Sequence, residues 1–102
     1  MALIEMDFAN ATGGGEVPYI LWSNSYNIGV NGNYTALSYW YYTVSASYSD
    51  DYIQWSGNTI TVKKNCKHYV AGSGNDGHWD DLVPNNTFSW GGYGDMHFLI
   101  FE

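Results

Sequence analysis

The chain has 102 residues, enough for one domain, and carries ten acidic side chains against three lysines, for a formal net charge of −7. The lysines lie together at residues 63–67 and arginine is absent, so the chain lacks the basic stripe that proteins use to bind phosphates, which argues against nucleic acid as a partner. The single cysteine, Cys66, excludes an internal disulfide framework. Because no segment resembles a signal peptide or a membrane span, we expect a protein made in the cytoplasm that does not insert into membranes.

The first sixteen residues predict a strand followed by a hinge. Apolar and acidic residues alternate over residues 3–8, and residues 10–16 contain three consecutive glycines. Such a strand could be an attachment arm that docks on another chain, or an ordinary first strand followed by a loop. We divide the chain accordingly into an attachment arm with its hinge, residues 1–16, and a β-sandwich domain, residues 17–102.

Residues 34–48 are the longest strand-like stretch, rich in aromatic and β-branched residues and free of proline, glycine and charge. Strict alternation would place Leu37, Tyr39 and Tyr41 on one face and Tyr34, Ser38 and Trp40 on the other. Aromatic residues on both faces predict that both are covered, one by the core and one by a neighbouring subunit or a ligand. We therefore expect Leu37, Tyr39 and Tyr41 at a subunit interface, and a bend or break near residues 43–47 because strands rarely exceed about ten residues.

The rest of the chain predicts short strands separated by turns. Strands are expected at residues 17–23, 52–55, 59–64, 66–71, 88–90 and 96–102, with loops at 24–33 and 72–81. No 3.6-residue apolar period occurs over a useful length. Seven or eight short strands predict an all-β fold, an antiparallel β-sandwich or jelly roll.

Aromatic residues next to Gly/Asn/Asp-rich segments are the best candidates for ligand binding. We predict sites at Trp79 with Asp80 and at Trp90 with Tyr93, because aromatic rings stack on the apolar faces of sugars while neighbouring polar groups bind hydroxyls. The alternative is that these rings cover the open ends of the sandwich.

Other constellations are weaker. Residues 75–81 hold three carboxylates and one imidazole, but their spacing is not that of an EF-hand. Cys66 and His68 share a strand face without a third ligand or an orienting carboxylate. Neighbouring carboxylates at 50–51 and 80–81 would point to opposite faces of a strand, which does not suit glycoside hydrolysis. We predict no catalytic residue, no metal site and no cofactor, and the protein is not expected to be an enzyme.

The segment from Gly57-Asn-Thr-Ile-Thr-Val-Lys-Lys-Asn-Cys66 to His97-Phe-Leu-Ile-Phe-Glu102, with the opening Met-Asp-Phe-Ala-Asn before the glycines, resembles phage and prophage structural proteins. The matching domains are similar to the small jelly-roll heads of the tumour-necrosis-factor and complement-head type, which usually form trimers. The resemblance covers residues 1–16 and 56–102. It implies a fibre tip, tail tip or capsid-decorating knob.

Residues and resemblance together predict a bacteriophage virion structural protein that forms a homotrimer and contacts other virion proteins through residues 1–16. Its exposed aromatic residues would bind host-surface glycan. The alternative is a free-standing, lectin-like carbohydrate-binding domain.

Overall fold

The computed structural model describes residues 3–7, 16–23, 27–41, 49–72, 75–89 and 96–102. These residues form ten β-strands and contain no helix that could cross a membrane. The strands are β1 (Leu3–Asp7), β2 (Val17–Ser23), β3 (Asn27–Asn31), β4 (Tyr34–Tyr41), β5 (Ile53–Ser56), β6 (Thr59–Val62), β7 (Cys66–Gly72), β8 (Asn75–Leu82), β9 (Thr87–Ser89) and β10 (Met96–Phe101).

The main sheet has five strands in the order β4-β2-β10-β7-β8. Its central strand, β10, reads Met-His-Phe-Leu-Ile-Phe, and all six residues are buried. A strand with apolar residues on both faces is suited to the middle of a sheet that is covered on both sides. The sheet is therefore built around β10, whereas β4, from the long aromatic stretch, lies at an edge.

A second sheet, β5-β6-β9, covers one face of the main sheet, which we call the inner face. The buried residues between the sheets are Ile20, Trp22, Ile53, Ile60, Val62, Cys66, Leu99 and Phe101. Alternate residues of β2 and β10 supply half of this cluster, and the hairpin β5–β6 supplies the apolar residues that meet them. The predicted all-β sandwich is confirmed.

The opposite, outer face of the main sheet has its own cluster, Leu21, Ala71, Met96, Phe98 and Ile100. Half-buried tyrosines lie over it: the ring of Tyr19 stacks on that of Phe98 with centroids 5.1 Å apart, and Tyr34 meets Phe98 edge-on. Val30 of β3 also packs here. Large rings thus shield much of the outer face near β2 and β10.

Two segments predicted as loops are strands. β3 lies within residues 24–33 and pairs in parallel with β1. β8 begins within residues 72–81, ends at Leu82 and pairs antiparallel with β7. Both are rich in Asn, Asp and Gly, which have low β-propensity, but pairing with a neighbouring strand outweighs that weak preference. The pairing of β1 with β3 gives the N-terminal strand a partner within its own chain.

A bulge in β4 breaks the alternation predicted for residues 34–48. The register with β2 shifts by one residue between Tyr19 and Ile20, so Leu37 is an extra residue in β4. Tyr34 accordingly packs on the outer face, while Ser38 lies opposite Ile20 of the inner cluster. Placing Tyr34 and Ser38 on one face was therefore wrong. Residues 42–48, where a bend was predicted, lie outside the described residues.

Candidate functional site

Trp79 is a large aromatic residue exposed on an edge strand of the main sheet. Its side chain lies on the outer face of β8, and the residue retains 39% of its full solvent exposure. It is opposite Tyr69 of β7, which is opposite Phe98 of β10. The rings of Tyr69 and Trp79 have centroids 5.0 Å apart and a 58° tilt. Burial falls along this row from Phe98 to Trp79, so the row ends in an indole accessible to solvent.

Gly77 makes room for this arrangement. It precedes Trp79 by two residues and so belongs to the same face of β8. A Cβ atom built on Gly77 would overlap the hydroxyl of Tyr69. The absence of a side chain at Gly77 therefore lets the Tyr69 ring extend across the backbone of β8, where it supports Trp79.

A charged row lies beside the aromatic row on the same face. Lys67 Nζ donates a hydrogen bond to Asp81 Oδ1 at 2.9 Å, with 34% of the lysine side chain and 82% of the aspartate side chain exposed. The hydrogen bond to Asp81 and the charge of Asp81 raise the pKa of Lys67, and the charge of Glu102 raises it further. Lys67 is therefore influenced by carboxylates from two neighbouring strand ends, Asp81 at the end of β8 and Glu102 after β10.

We call the surface formed by Lys67, Tyr69, Gly77, Trp79, Asp81 and Glu102 the Trp79 face. It combines an exposed indole with hydrogen-bond donors and acceptors one step further along the strands. Trp79 and Asp81 are two residues apart, or about 6 to 7 Å along a strand. The face therefore presents an apolar ring surface and hydrogen-bonding groups side by side.

Asp80, predicted to act with Trp79, lies on the opposite face of β8. It is opposite His68 in the register, and its Oδ2 atom is 3.3 Å from His78 Nε2. Neighbouring strand residues point to opposite faces, so the Asp80 side chain does not lie beside Trp79 on the outer face of the sheet. Asp81 and Lys67 occupy that position. The sequence signal for Asp81 is the alternation Gly77, Trp79, Asp81, which the loop prediction for residues 72–81 obscured.

The other predicted site residues are placed as follows. Leu37 is half-buried against the inner cluster. The backbones of Tyr39 and Tyr41 pair with Leu21 and Ser23 of β2, and their side chains lie outside the described part of the chain. The predicted pair formed by Trp90 and Tyr93 also lies outside the described residues.

A second polar group lies on the inner face, where His68 Nε2 is 2.9 Å from His97 Nδ1. Both residues are buried beneath Phe88 of β9, whose ring stacks on His68 with centroids 4.1 Å apart. Burial lowers the pKa of His68 to about 4, although the charge of Asp80 opposes this shift. Burial also lowers the pKa of His97 to about 3, and the charge of His68 adds to this lowering. Sequence alternation places each histidine on a strand face, but only the register of β7 and β10 brings them together.

This histidine pair has no metal-site geometry. No group of three or more His, Cys, Asp or Glu residues among the described residues is placed to hold a metal ion. Burial, followed by the charge of Glu102, raises the pKa of Cys66 to about 12, so the thiol is protonated at neutral pH. The inner face is therefore core, and the Trp79 face is the candidate site. Comparison with protein-family models, curated proteins and solved structures finds no match to this chain.

Proposed function

We propose that this chain is a β-sandwich structural protein of a bacteriophage particle that binds glycans on the host surface through the Trp79 face. The observation that carries the glycan-binding part is the exposed indole of Trp79 beside the Lys67–Asp81 pair. The ring of Tyr69 packs beside the indole, with centroids 5.0 Å apart.

The binding chemistry follows from the two rows of the Trp79 face. A pyranose has a face of C–H groups that can leave water by covering the indole, and each Å² of apolar surface removed from water contributes about 25 cal/mol. Its hydroxyls both donate and accept hydrogen bonds. Asp81 supplies acceptors and Lys67 supplies donors, so a hydroxylated ring edge meets partners of both kinds.

The particle part of the proposal is supported by the resemblance of residues 1–16 and 56–102 to phage structural proteins and by the position of β4. Among the described residues β4 is an edge strand, and another strand could pair with its outer backbone side. We place the homotrimer contact on β4, at Tyr39 and Tyr41, with contacts to other virion proteins through residues 1–16. Leu37, the third predicted contact residue, packs on the chain's own inner cluster. The protein would be made in the host cytoplasm and act in the virion.

Glycan binding is tested on an array with the purified chain, followed by calorimetric titration of the sugars retained. Trp79→Ala should weaken binding at least tenfold while changing the free energy of unfolding by less than about 1 kcal/mol. Val83→Ala is the matched control, because Val83 is also a large exposed hydrophobic residue but lies outside the Trp79 face. The assignment is overturned if the chain binds no glycan on the array, or if Trp79→Ala binds glycan as tightly as the parent chain.

A free-standing carbohydrate-binding domain is the second candidate, because the Trp79 face supports it equally well. Light scattering separates the two. The particle protein is supported if the parent chain is a stable trimer and the double variant Tyr39→Ser with Tyr41→Ser is a monomer. A parent chain that binds glycan but remains monomeric at all concentrations supports the free-standing domain.

A further inference from the structure

We infer that the Trp79 face selects neutral pyranoses with neighbouring hydroxyls and discriminates against sugars that carry a carboxylate. This inference rests on the proposed glycan binding and adds the class of sugar. It follows from the charges that surround the position where the edge of the bound ring would lie.

The only cation on the Trp79 face is already paired. Lys67 Nζ lies 2.9 Å from Asp81 Oδ1, and the charge of Glu102 also acts on Lys67. The Lys67–Asp81 pair is neutral as a unit and offers no unpaired cation, and the charge of Glu102 adds to the negative side. A carboxylate on the sugar would have to compete with Asp81 for Lys67, and the two carboxylates would repel each other.

The surroundings strengthen this preference. Asp80 precedes Asp81 on β8 but points to the opposite face, near His78, so it adds only a more distant negative charge. The whole chain has a formal net charge of −7. Unit charges several ångströms apart at a protein surface interact strongly enough to change affinity about tenfold, and salt screens that interaction. An anionic sugar is therefore repelled both locally and by the chain as a whole.

A neutral sugar uses the same groups without this cost. One hydroxyl can donate to the exposed carboxylate of Asp81, and its neighbour can accept from Lys67 Nζ. The hydrogen bond between Lys67 and Asp81 already holds the two groups at the spacing of adjacent ring hydroxyls, so little side-chain freedom is lost when the sugar binds. Hydrogen bonds to charged partners are also stronger than those between neutral groups.

The experiment uses two matched pairs of hexasaccharides: a β-linked glucose oligomer with its glucuronic acid counterpart, and a galactose oligomer with its galacturonic acid counterpart. Dissociation constants are measured for the full chain at about 0.05 M and about 0.5 M salt, because a roughly tenfold rise in ionic strength screens interactions between charges. In at least one pair the neutral member should bind about tenfold more tightly at low salt, and the difference should shrink at high salt.

Asp81→Asn with Glu102→Gln should reduce the preference, and Trp79→Ala should weaken binding of the neutral member.

The outcomes are distinct. If the acidic member binds as tightly as its neutral counterpart in every pair that binds, the inference is overturned and glycan binding is left intact. A preference that persists unchanged in Asp81→Asn with Glu102→Gln would also overturn it, because the charged row would not be its source. If no member of either pair binds, both the inference and the proposed glycan binding fail.

Discussion

His68 Nε2 lies 2.9 Å from His97 Nδ1 in the layer between the two sheets. One ring nitrogen must donate in this hydrogen bond and the other must accept. If both rings were protonated, two N–H groups would face each other, so the pair can bind at most one proton while the bond persists. The Nε2 atom of His97 is also buried with no hydrogen-bond partner among the described residues.

This pair should make the protein less stable in acid. The pKa values of His68 and His97 are lowered to about 4 and about 3, so the unfolded chain, in which histidine titrates near 6.5, binds more protons than the folded chain below about pH 6.5. The free energy of unfolding should therefore fall as pH decreases from about 6.5 to about 4, by roughly 1.4 kcal/mol per pH unit for each histidine. Urea unfolding at pH 7, 6, 5 and 4 measures this slope.

Two variants isolate the pair from other titrating groups. His68→Leu with His97→Phe replaces both partners by apolar groups and should flatten the slope between pH 6.5 and 5. His78→Gln should change the slope far less, because the His78 side chain is more than half exposed and acts on His68 only through its charge. A parent chain whose unfolding free energy is the same at pH 7 and pH 5 would contradict the prediction.

Phe88 should control these pKa values, because its ring lies over both histidines, with centroids 4.1 Å from His68 and 5.4 Å from His97. Phe88→Ala should admit water, raise both histidine pKa values toward 6.5 and cost about 2 kcal/mol of stability. Histidine proton shifts followed by NMR from pH 7 to pH 4 measure the change. Phe88→Leu retains most of the cover and is the control. Histidine shifts in Phe88→Ala that do not titrate above pH 4.5 would show that another element buries the pair.

The sandwich can be predicted because the composition and the apolar period within each core strand identify it as a strand. β10 is apolar on both faces, and β6 alternates Thr, Ile, Thr, Val, so period and composition alone identify them. β8 could not be identified in this way. Its sequence, Asn-Asp-Gly-His-Trp-Asp-Asp-Leu, has the composition of a loop, and it is a strand because β7 pairs with it.

Register explains the remaining differences. The bulge at Leu37 and the approach of His68 to His97 depend on how strands far apart in sequence align, which alternation within one strand does not specify. The same holds for the Trp79 face. The sequence predicts Trp79 as an exposed ring. Lys67 and Asp81 are fourteen positions apart in the chain and meet only across the β7–β8 pair.

Cys66 should be unreactive in the folded protein. Its thiol is buried, and its pKa is raised to about 12 from a usual value near 9, which reduces the thiolate fraction about 10³-fold. Iodoacetamide at pH 8, with the product followed by mass spectrometry, should label Cys66 only after denaturant is added. Ser56→Cys, at an exposed position of β5, provides a thiol that should react in the folded state. Rapid labelling of Cys66 without denaturant would show that the region between the sheets opens frequently.

Gly77 should be required for the Trp79 face rather than for the sandwich. A methyl group at this position would meet the hydroxyl of Tyr69, whose ring is held between Phe98 and Trp79, so Gly77→Ala must displace the ring. We expect a stability loss of about 1 to 2 kcal/mol, a shift in Trp79 fluorescence and at least tenfold weaker binding of any glycan that the parent chain binds. Gly57→Ala is the matched control.

Gly57 lies in the β5–β6 turn with φ of 58°, and a Cβ built on it would meet nothing within 4 Å. Its replacement by alanine costs about 1 kcal/mol through backbone strain, since L-residues disfavour this conformation. The two variants therefore lose similar stability for different reasons, and only Gly77→Ala should change Trp79 fluorescence and glycan affinity. Equal loss of affinity in both would mean that binding follows overall stability. Unchanged affinity in Gly77→Ala would mean that the position of Tyr69 does not matter for binding at Trp79.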